Sequence, residues 1–203
     1  MASPWPLTFS SGERPRALWA LLFTKTVVLF VSCHDCELFQ DFGDALCQLL
    51  HILSDFDPAG VHCMNKPYVG KRGWVFEFNK VTFFITTFAP FYPSNHARYS
   101  FGTENCYILF QPELSFAFHD LPEDTGATNW DAPQTVRDRI RVAFSDAGRQ
   151  YPVPDDVSSP MALDMLRPID QDGPVYEWWT RGKLISENDW NWTLWAFNQL
   201  LDV

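Results

Sequence analysis

His96 and Arg98 stand two residues apart in the stretch 89–102, with Pro90 and Pro93 before them and Phe91, Tyr92, Tyr99 and Phe101 around them. In an extended segment, residues i and i+2 point to the same side, so the imidazole and the guanidinium would share one face. A neutral imidazole nitrogen ligates iron, a guanidinium makes a two-pronged bond to a propionate, and aromatic side chains such as Phe91 and Tyr99 give apolar cover. These are the parts a heme pocket needs. The plainer reading is a histidine capping a turn and an arginine paired with an acid. The stretch lies between two apolar runs, Val81–Phe88 and Asn105–Gln111. Connections of about a dozen residues or more without regular structure are usually functional or disordered. The aromatics argue against disorder, since disordered segments are poor in them.

A second constellation is Cys33-His34-Asp35-Cys36, which follows an apolar run and opens a helical pattern. A helix N-terminus lowers a thiol's pKa, so a thioredoxin-like redox pair is one reading. A metal site combining Cys33 and Cys36 with His62 and Cys63 is another, although adjacent side chains rarely converge on one tetrahedral ion. The structural reading, small residues at a strand-to-helix junction, is the simplest. His51 and His62 read as surface or packing histidines. His119, next to Asp120, is either half of an acid–base pair or a strand-end hydrogen bond, and the second is favoured. The chain contains no Gly-x-Gly-x-x-Gly, no P-loop, no Gly-x-Ser-x-Gly and no His-Glu-x-x-His, which argues against nucleotide, hydrolase and zinc-protease chemistry.

The elements that must position these residues follow from periodicity. Thr26–Ser32 is a continuous Val-rich run and predicts a buried strand. Glu37–Leu53 repeats Leu38, Phe42, Leu46, Leu49, Leu50 and Leu53 near a helical period. Gly73–Phe78 alternates with Trp74, Phe76 and Phe78 on one face, and Asn79-Lys80 connects it to Val81–Phe88 as an antiparallel hairpin. Cys106–Phe110 is the strand after the long loop, and Glu113–His119 is ambiguous. Pro133–Asp146 predicts a helix with Pro133 in its first turn and Val136, Ile140, Val142 and Phe144 as its apolar positions. Tyr151–Pro168 reads as an irregular wrap and Val175–Trp179 as a last strand. Arg14–Phe23 and Asp189–Leu201 read as helices. The expected fold is α+β, a single domain over residues 1–203 with a mostly antiparallel sheet and flanking helices.

Composition sets bounds on partners. The 203 residues include nine Trp and eighteen Phe, which suits a well-filled interior or a core plus an apolar pocket. A formal net charge of −10 makes nucleic acid a poor partner, because phosphate binding needs a clustered positive field, and Arg137–Arg141 is interrupted by Asp138. No run reaches the roughly eighteen apolar residues of a membrane span. Ala17–Phe23 follows Glu13, Arg14 and Arg16 without a clean cleavage site, so no secretory leader is expected. Five cysteines, an odd number, agree with a reducing compartment, and the expectation is a cytoplasmic protein.

Several segments together resemble the YqcI/YcgG family. They are the aromatic strand pair Gly73–Phe88, Pro93-Ser94-Asn95-His96-Ala97-Arg98, Leu109-Phe110-Gln111-Pro112-Glu113-Leu114-Ser115-Phe116, Val136-Arg137-Asp138-Arg139-Ile140-Arg141 and Tyr176-Glu177-Trp178-Trp179, spread over roughly residues 70–180. The resemblance implies a heme-dependent N-oxygenase that hydroxylates a guanidine or amine nitrogen in a biosynthetic pathway. It implies heme b as cofactor, dioxygen or a peroxide as oxidant, and an amine- or guanidine-bearing small molecule as substrate. It carries His96 over as the axial iron ligand and Arg98 as a heme or propionate contact; Phe91 and Tyr99, from the same loop, are the candidate cofactor-binding aromatics, and His119, the other histidine in the resembling region, is the rival ligand. Glu113, Glu177 and Asp120 are candidate partners for a cationic substrate by position near these motifs. The alternatives are a heme enzyme of another class (dehydratase, isomerase or cyclisation catalyst), a non-catalytic heme carrier or sensor, and a thioredoxin-like protein using Cys33 and Cys36.

Overall fold

The computed structural model describes residues 27–31, 39–117, 127–149, 151, 159–170 and 173–181. Four strands form one sheet in the order β1-β4-β3-β2, and every neighbouring pair is antiparallel. They are β1 (Val27–Val31), β2 (Phe76–Phe78), β3 (Val81–Phe88) and β4 (Cys106–Pro112). Along β3 and β4 buried and half-buried residues alternate from end to end. The register sets Ile85 opposite Phe110 and Thr87 opposite Ile108, so the buried positions of both strands share one face. The fold is α+β, as the periodicity predicts.

Helix α1 (Phe39–Asp55) buries Phe42, Leu46, Leu49, Leu50 and Leu53 in the same core as Phe76, Phe83, Ile85 and Phe110. The β2–β3 turn is a tight one: Asn79 and Lys80 both have left-handed backbone, φ 53° and 65°. Such a turn matches the twist of the strands it joins. Asp57 braces it from outside the hairpin. Its Oδ1 accepts the Asn79 N–H at 2.6 Å and the Ala59 N–H at 3.1 Å, and its Oδ2 accepts the Val61 N–H at 2.9 Å.

Elsewhere the structure departs from the sequence reading. Val175–Trp179 is not a strand: Trp178–Thr180 forms a 3-10 turn, and the buried Trp178 indole donates to the Ala162 carbonyl at 2.8 Å. Part of the expected wrap is helical, as α4 (Met161–Met165), where the Thr87 hydroxyl donates to the Met165 carbonyl at 2.5 Å. The ambiguous segment after β4 forms the short helix α2 (Leu114–Ala117). The next helix, α3, is Val136–Asp146, and Pro133 precedes it. Its start is set by a capping box, with the Asp138 N–H donating to Thr135 Oγ1 at 3.0 Å and the Thr135 N–H donating to Asp138 Oδ2 at 3.1 Å. Its buried residues are Asp138 and Arg141 rather than the apolar set; Ile140 is exposed. Polar bonding decides that face, since Arg141 Nη1 donates to Ala127 O and Thr128 Oγ1, both at 3.0 Å. The expected helices at Arg14–Phe23 and Asp189–Leu201 lie outside the described residues. No helix among the described residues is long and apolar enough to cross a membrane.

Candidate functional site

The stretch after β3 is an ordered loop folded back on the end of that strand. The Ala89 N–H donates to Arg98 O at 3.0 Å and the Ser100 N–H donates to Ala89 O at 3.3 Å, so 98–100 runs beside the strand end. Within the loop, the His96 N–H donates to Pro93 O at 2.8 Å and the Tyr99 N–H to His96 O at 3.2 Å. His96 and Arg98 therefore belong to a turn, not to the extended segment expected from alternation. Phe101 and Gly102 follow with positive φ of 57° and 83°. Phe101 is 71% exposed, and the Arg149 guanidinium lies over its ring at 4.1 Å from the centroid. Arg149 also faces the Tyr99 ring at 5.8 Å and donates from Nε to Ser94 O at 3.3 Å, clamping the loop to the end of α3.

His96 is buried, 3% exposed, with its ring flat against Tyr92. Its Nδ1 accepts the Arg98 backbone N–H at 3.0 Å. Its other hydrogen-bond partner is the backbone of Pro168, which has no N–H and so accepts through its carbonyl. Together these partners assign the tautomer with hydrogen on Nε2. Burial first, then Arg98 and Arg167, hold the imidazole below its usual pKa, while the Pro168 bond opposes them. His96 is thus a neutral side chain with both nitrogens engaged.

Arg98 is the buried cation of the site, 7% exposed. Its Nη2 donates to the Asp164 backbone oxygen at 2.9 Å, and its guanidinium carbon lies 5.8 Å from the Phe88 ring centroid. Burial, and after it the Arg167 charge, bring its pKa down to about 10. The Asp164 carboxylate serves a different arginine, accepting Arg167 Nη2 at 2.9 Å. Tyr92 closes the ring of contacts: its hydroxyl donates to the Arg167 carbonyl at 2.7 Å, and burial raises the phenol's pKa.

Phe91 stays in contact with the loop through Tyr92, 4.8 Å away, while the other sequence candidates separate from Arg98. Phe91 turns toward α1, with its ring 5.8 Å from Phe39 and 5.9 Å from Phe42. Tyr99 faces Arg149. Glu113 donates its N–H to Thr82 O near the start of β3, whereas Arg98 bonds Ala89 just past its end. Seven residues of strand at about 3.3 Å each put roughly 23 Å between those ends, so Glu113 does not share a site with Arg98. Glu177 is exposed, and Asp120, His119, Cys33 and Cys36 lie outside the described residues. His62 donates or accepts through Nδ1 at the Ser54 carbonyl, 2.7 Å away, and since that oxygen only accepts, His62 donates. Cys63 is buried, its thiol donating to Glu77 O at 3.3 Å and held above its usual pKa mainly by burial. These two are structural, in line with the packing reading of His62. Arg167 and Asp164 are the residues that sequence reasoning missed, and Tyr92, one of the loop's aromatics, was given no role of its own; the i,i+3 spacing of Asp164 and Arg167 was the available signal.

A buried guanidinium and a neutral imidazole, held by one loop at the end of an antiparallel sheet and met by a second arginine from beyond α4, define an α+β protein with a candidate anion or cofactor site. A family model described as the YqcI/YcgG family matches residues 19–149, and the chain belongs to that family. The loop lies inside the matched span; Asp164, Arg167 and Tyr176–Trp179 lie beyond it. No curated protein and no solved structure matches the chain.

The donor set can be tested against the heme that the resemblance implies. A ligating histidine normally donates the N–H of its second nitrogen to an acceptor. Iron at Nε2 of His96 would put the hydrogen on Nδ1, facing the Arg98 N–H donor-to-donor, and would break the Pro168 bond. Iron at Nδ1 would displace the Arg98 N–H. His96 does not fit the axial-ligand role in this arrangement. Arg98 has the chemistry of a propionate contact, a fork of donors carrying a charge.

Proposed function

We propose that the chain is an oxidoreductase of the heme-dependent N-oxygenase type, acting on an amine or guanidine nitrogen of a small molecule. The observation that carries the reading is that Arg98, in the loop shared with the family, is a buried guanidinium 5.8 Å from the Phe88 ring centroid with a neutral carbonyl as its hydrogen-bond acceptor. Such a group suits an anionic cofactor edge in an apolar setting. Rings continue from it along one wall: His96 on Tyr92, Tyr92 4.8 Å from Phe91, Phe91 5.8 Å from Phe39, and Phe39 5.7 Å from Tyr176. In this reading Arg98 anchors, the aromatic wall excludes water, and His96 orders the turn that aims Arg98. The iron ligand is a residue other than His96, with His119 the designated candidate.

Heme titration of the purified chain tests this. The expected result is a saturable Soret band at about one heme per chain that survives His96→Asn and is altered in His119→Ala. A wild-type chain with no saturable band overturns the reading. A disulfide at Cys33 and Cys36 that exchanges with thiols, in the absence of heme binding, would transfer the assignment to the redox alternative.

A further inference from the structure

We infer that Arg98 and Arg167 form a carboxylate-binding site, reached past the Arg167–Asp164 pair, that takes a planar monoanion. The inference goes beyond the heme reading, because a free carboxylate satisfies it as well as a cofactor's does.

The argument begins with what Arg98 lacks. A guanidinium keeps its charge in proteins and is costly to bury without a partner that offsets it. At 7% exposure, Arg98 has a carbonyl dipole as acceptor, and among the described residues no carboxylate lies within ion-pair distance of it. Asp164 offsets that charge only through space: its backbone oxygen accepts from Arg98, while its carboxylate is hydrogen-bonded to Arg167. One residue thus holds two guanidiniums close enough for the Arg167 charge to disfavour charge on Arg98. Like charges held near each other in a partly desolvated place repel, and one carboxylate, that of Asp164, is shared between the two arginines. A second anion between them would add attraction that one shared carboxylate does not supply.

The surroundings choose the kind of anion. His96 is neutral, its imidazole spent on backbone groups, so it adds no second positive charge. Tyr92 uses its hydroxyl on the Arg167 carbonyl, and that bond fixes the backbone from which Arg167 projects. Of the site's two arginines, Arg98 is the one with no ion pair to a described residue, and its guanidinium is a planar fork that matches a carboxylate in shape and charge. The solvent-facing side of the cluster is the Arg167–Asp164 pair, whose side chains are 21% and 26% exposed. An ion pair exposed to that extent is weak and exchangeable, so Arg167 is able to swap Asp164 for an incoming carboxylate.

The site's chemistry has two sources, a free small-molecule carboxylate or a heme propionate, and one experiment separates them. Thermal melting of the full chain is followed in rising sodium propionate against sodium chloride at equal ionic strength. We expect a saturable stabilisation specific to propionate, abolished in Arg98→Lys, which keeps the charge and loses the fork. In Arg167→Gln, a change at the more exposed rim, the half-saturating concentration rises by about tenfold or more. In parallel, binding of heme is compared with binding of heme dimethyl ester, which has no carboxylates. Propionate stabilisation that persists in heme-loaded protein assigns the site to a free carboxylate. Loss of that stabilisation on heme loading, with weaker binding of the ester, assigns it to a heme propionate. Propionate that acts no differently from chloride, together with equal binding of heme and its ester or of neither, overturns the inference. Absence of heme binding with propionate stabilisation intact defeats the proposed function and leaves the carboxylate site standing.

Discussion

The imidazole of His96 lies flat on the phenol of Tyr92, with 4.4 Å between ring centroids and 4° between planes. The Tyr92 hydroxyl holds the Arg167 carbonyl and His96 bonds the Pro168 carbonyl, so the stacked pair fastens the loop after β3 to the chain just beyond α4. The same stack keeps His96 dry and uncharged, and that has a measurable consequence.

A histidine held below its ordinary pKa in the folded state binds its proton more readily when unfolded. In the window below about pH 6.5 the unfolded chain therefore carries more protons, and stability falls as the pH drops toward the folded value. Above that window the contribution is fully present. His96→Asn keeps an acceptor for the Arg98 N–H and removes the titration. We expect the melting temperature of the wild type to fall more steeply than that of His96→Asn between about pH 7 and 5. Parallel curves would show that His96 is not held neutral.

Gly43 lets α1 and Tyr176 touch. A Cβ there would collide with Tyr176 Cε1 and sit 3.0 Å from Leu166 Cδ2. Gly43→Ala is expected to cost about 1–3 kcal/mol by overpacking. It also pushes away the ring whose hydroxyl donates to Asp44 at 2.6 Å. Denaturant melts of the single and double variants check this: Tyr176→Ala with Gly43→Ala should cost clearly less than the two changes summed.

Lys80 adopts a left-handed backbone without being glycine. That conformation costs an ordinary residue about 1–2 kcal/mol, and glycine's greater unfolded freedom costs about 0.5–1 kcal/mol. The difference favours Lys80→Gly by roughly 0.5–1 kcal/mol, with the Asn79 turn intact. A lower urea midpoint for the variant would contradict the turn geometry.

Thr135 caps α3 by accepting the Asp138 N–H at its hydroxyl, and its own N–H donates back to the Asp138 carboxylate. Thr135→Ala should destabilise by about 1 kcal/mol, and Thr135→Ser should restore most of it. Urea titration reads both; equal midpoints for Ala and Ser would remove the cap from the account.

Local pattern was sufficient for β3, β4 and α1, whereas the strand expected over Gly73–Phe78 is confined to Phe76–Phe78, Gly73 being held in a turn at φ 87°. Alternation in Val81–Phe88 and Cys106–Phe110 reports a sheet with one buried face, and the leucine repeat after Phe39 reports a helix on a core, because side-chain period follows directly from backbone geometry. Asn79-Lys80 announced its turn by length alone. The end of the chain's described part was not readable in this way: Val175–Trp179 has strand composition, yet Trp178 becomes a 3-10 residue because its indole reaches Ala162, a partner sixteen residues away. In α3, bonds to 127–128 override the apolar stripe.

For the site, the residues themselves named His96 and Arg98 as a pair worth following, and the family segments placed them in a known setting. Their chemistry was set by residues distant in the chain. Arg98 meets Asp164, 66 positions later, and Tyr92 meets Arg167, 75 positions later. A histidine's tautomer depends on what faces each nitrogen, and an arginine's pairing depends on which carboxylate is already taken. Spacing along a sequence carries neither fact; only the packing of the loop against α4 decides that His96 is a neutral strut and Arg98 a buried cation.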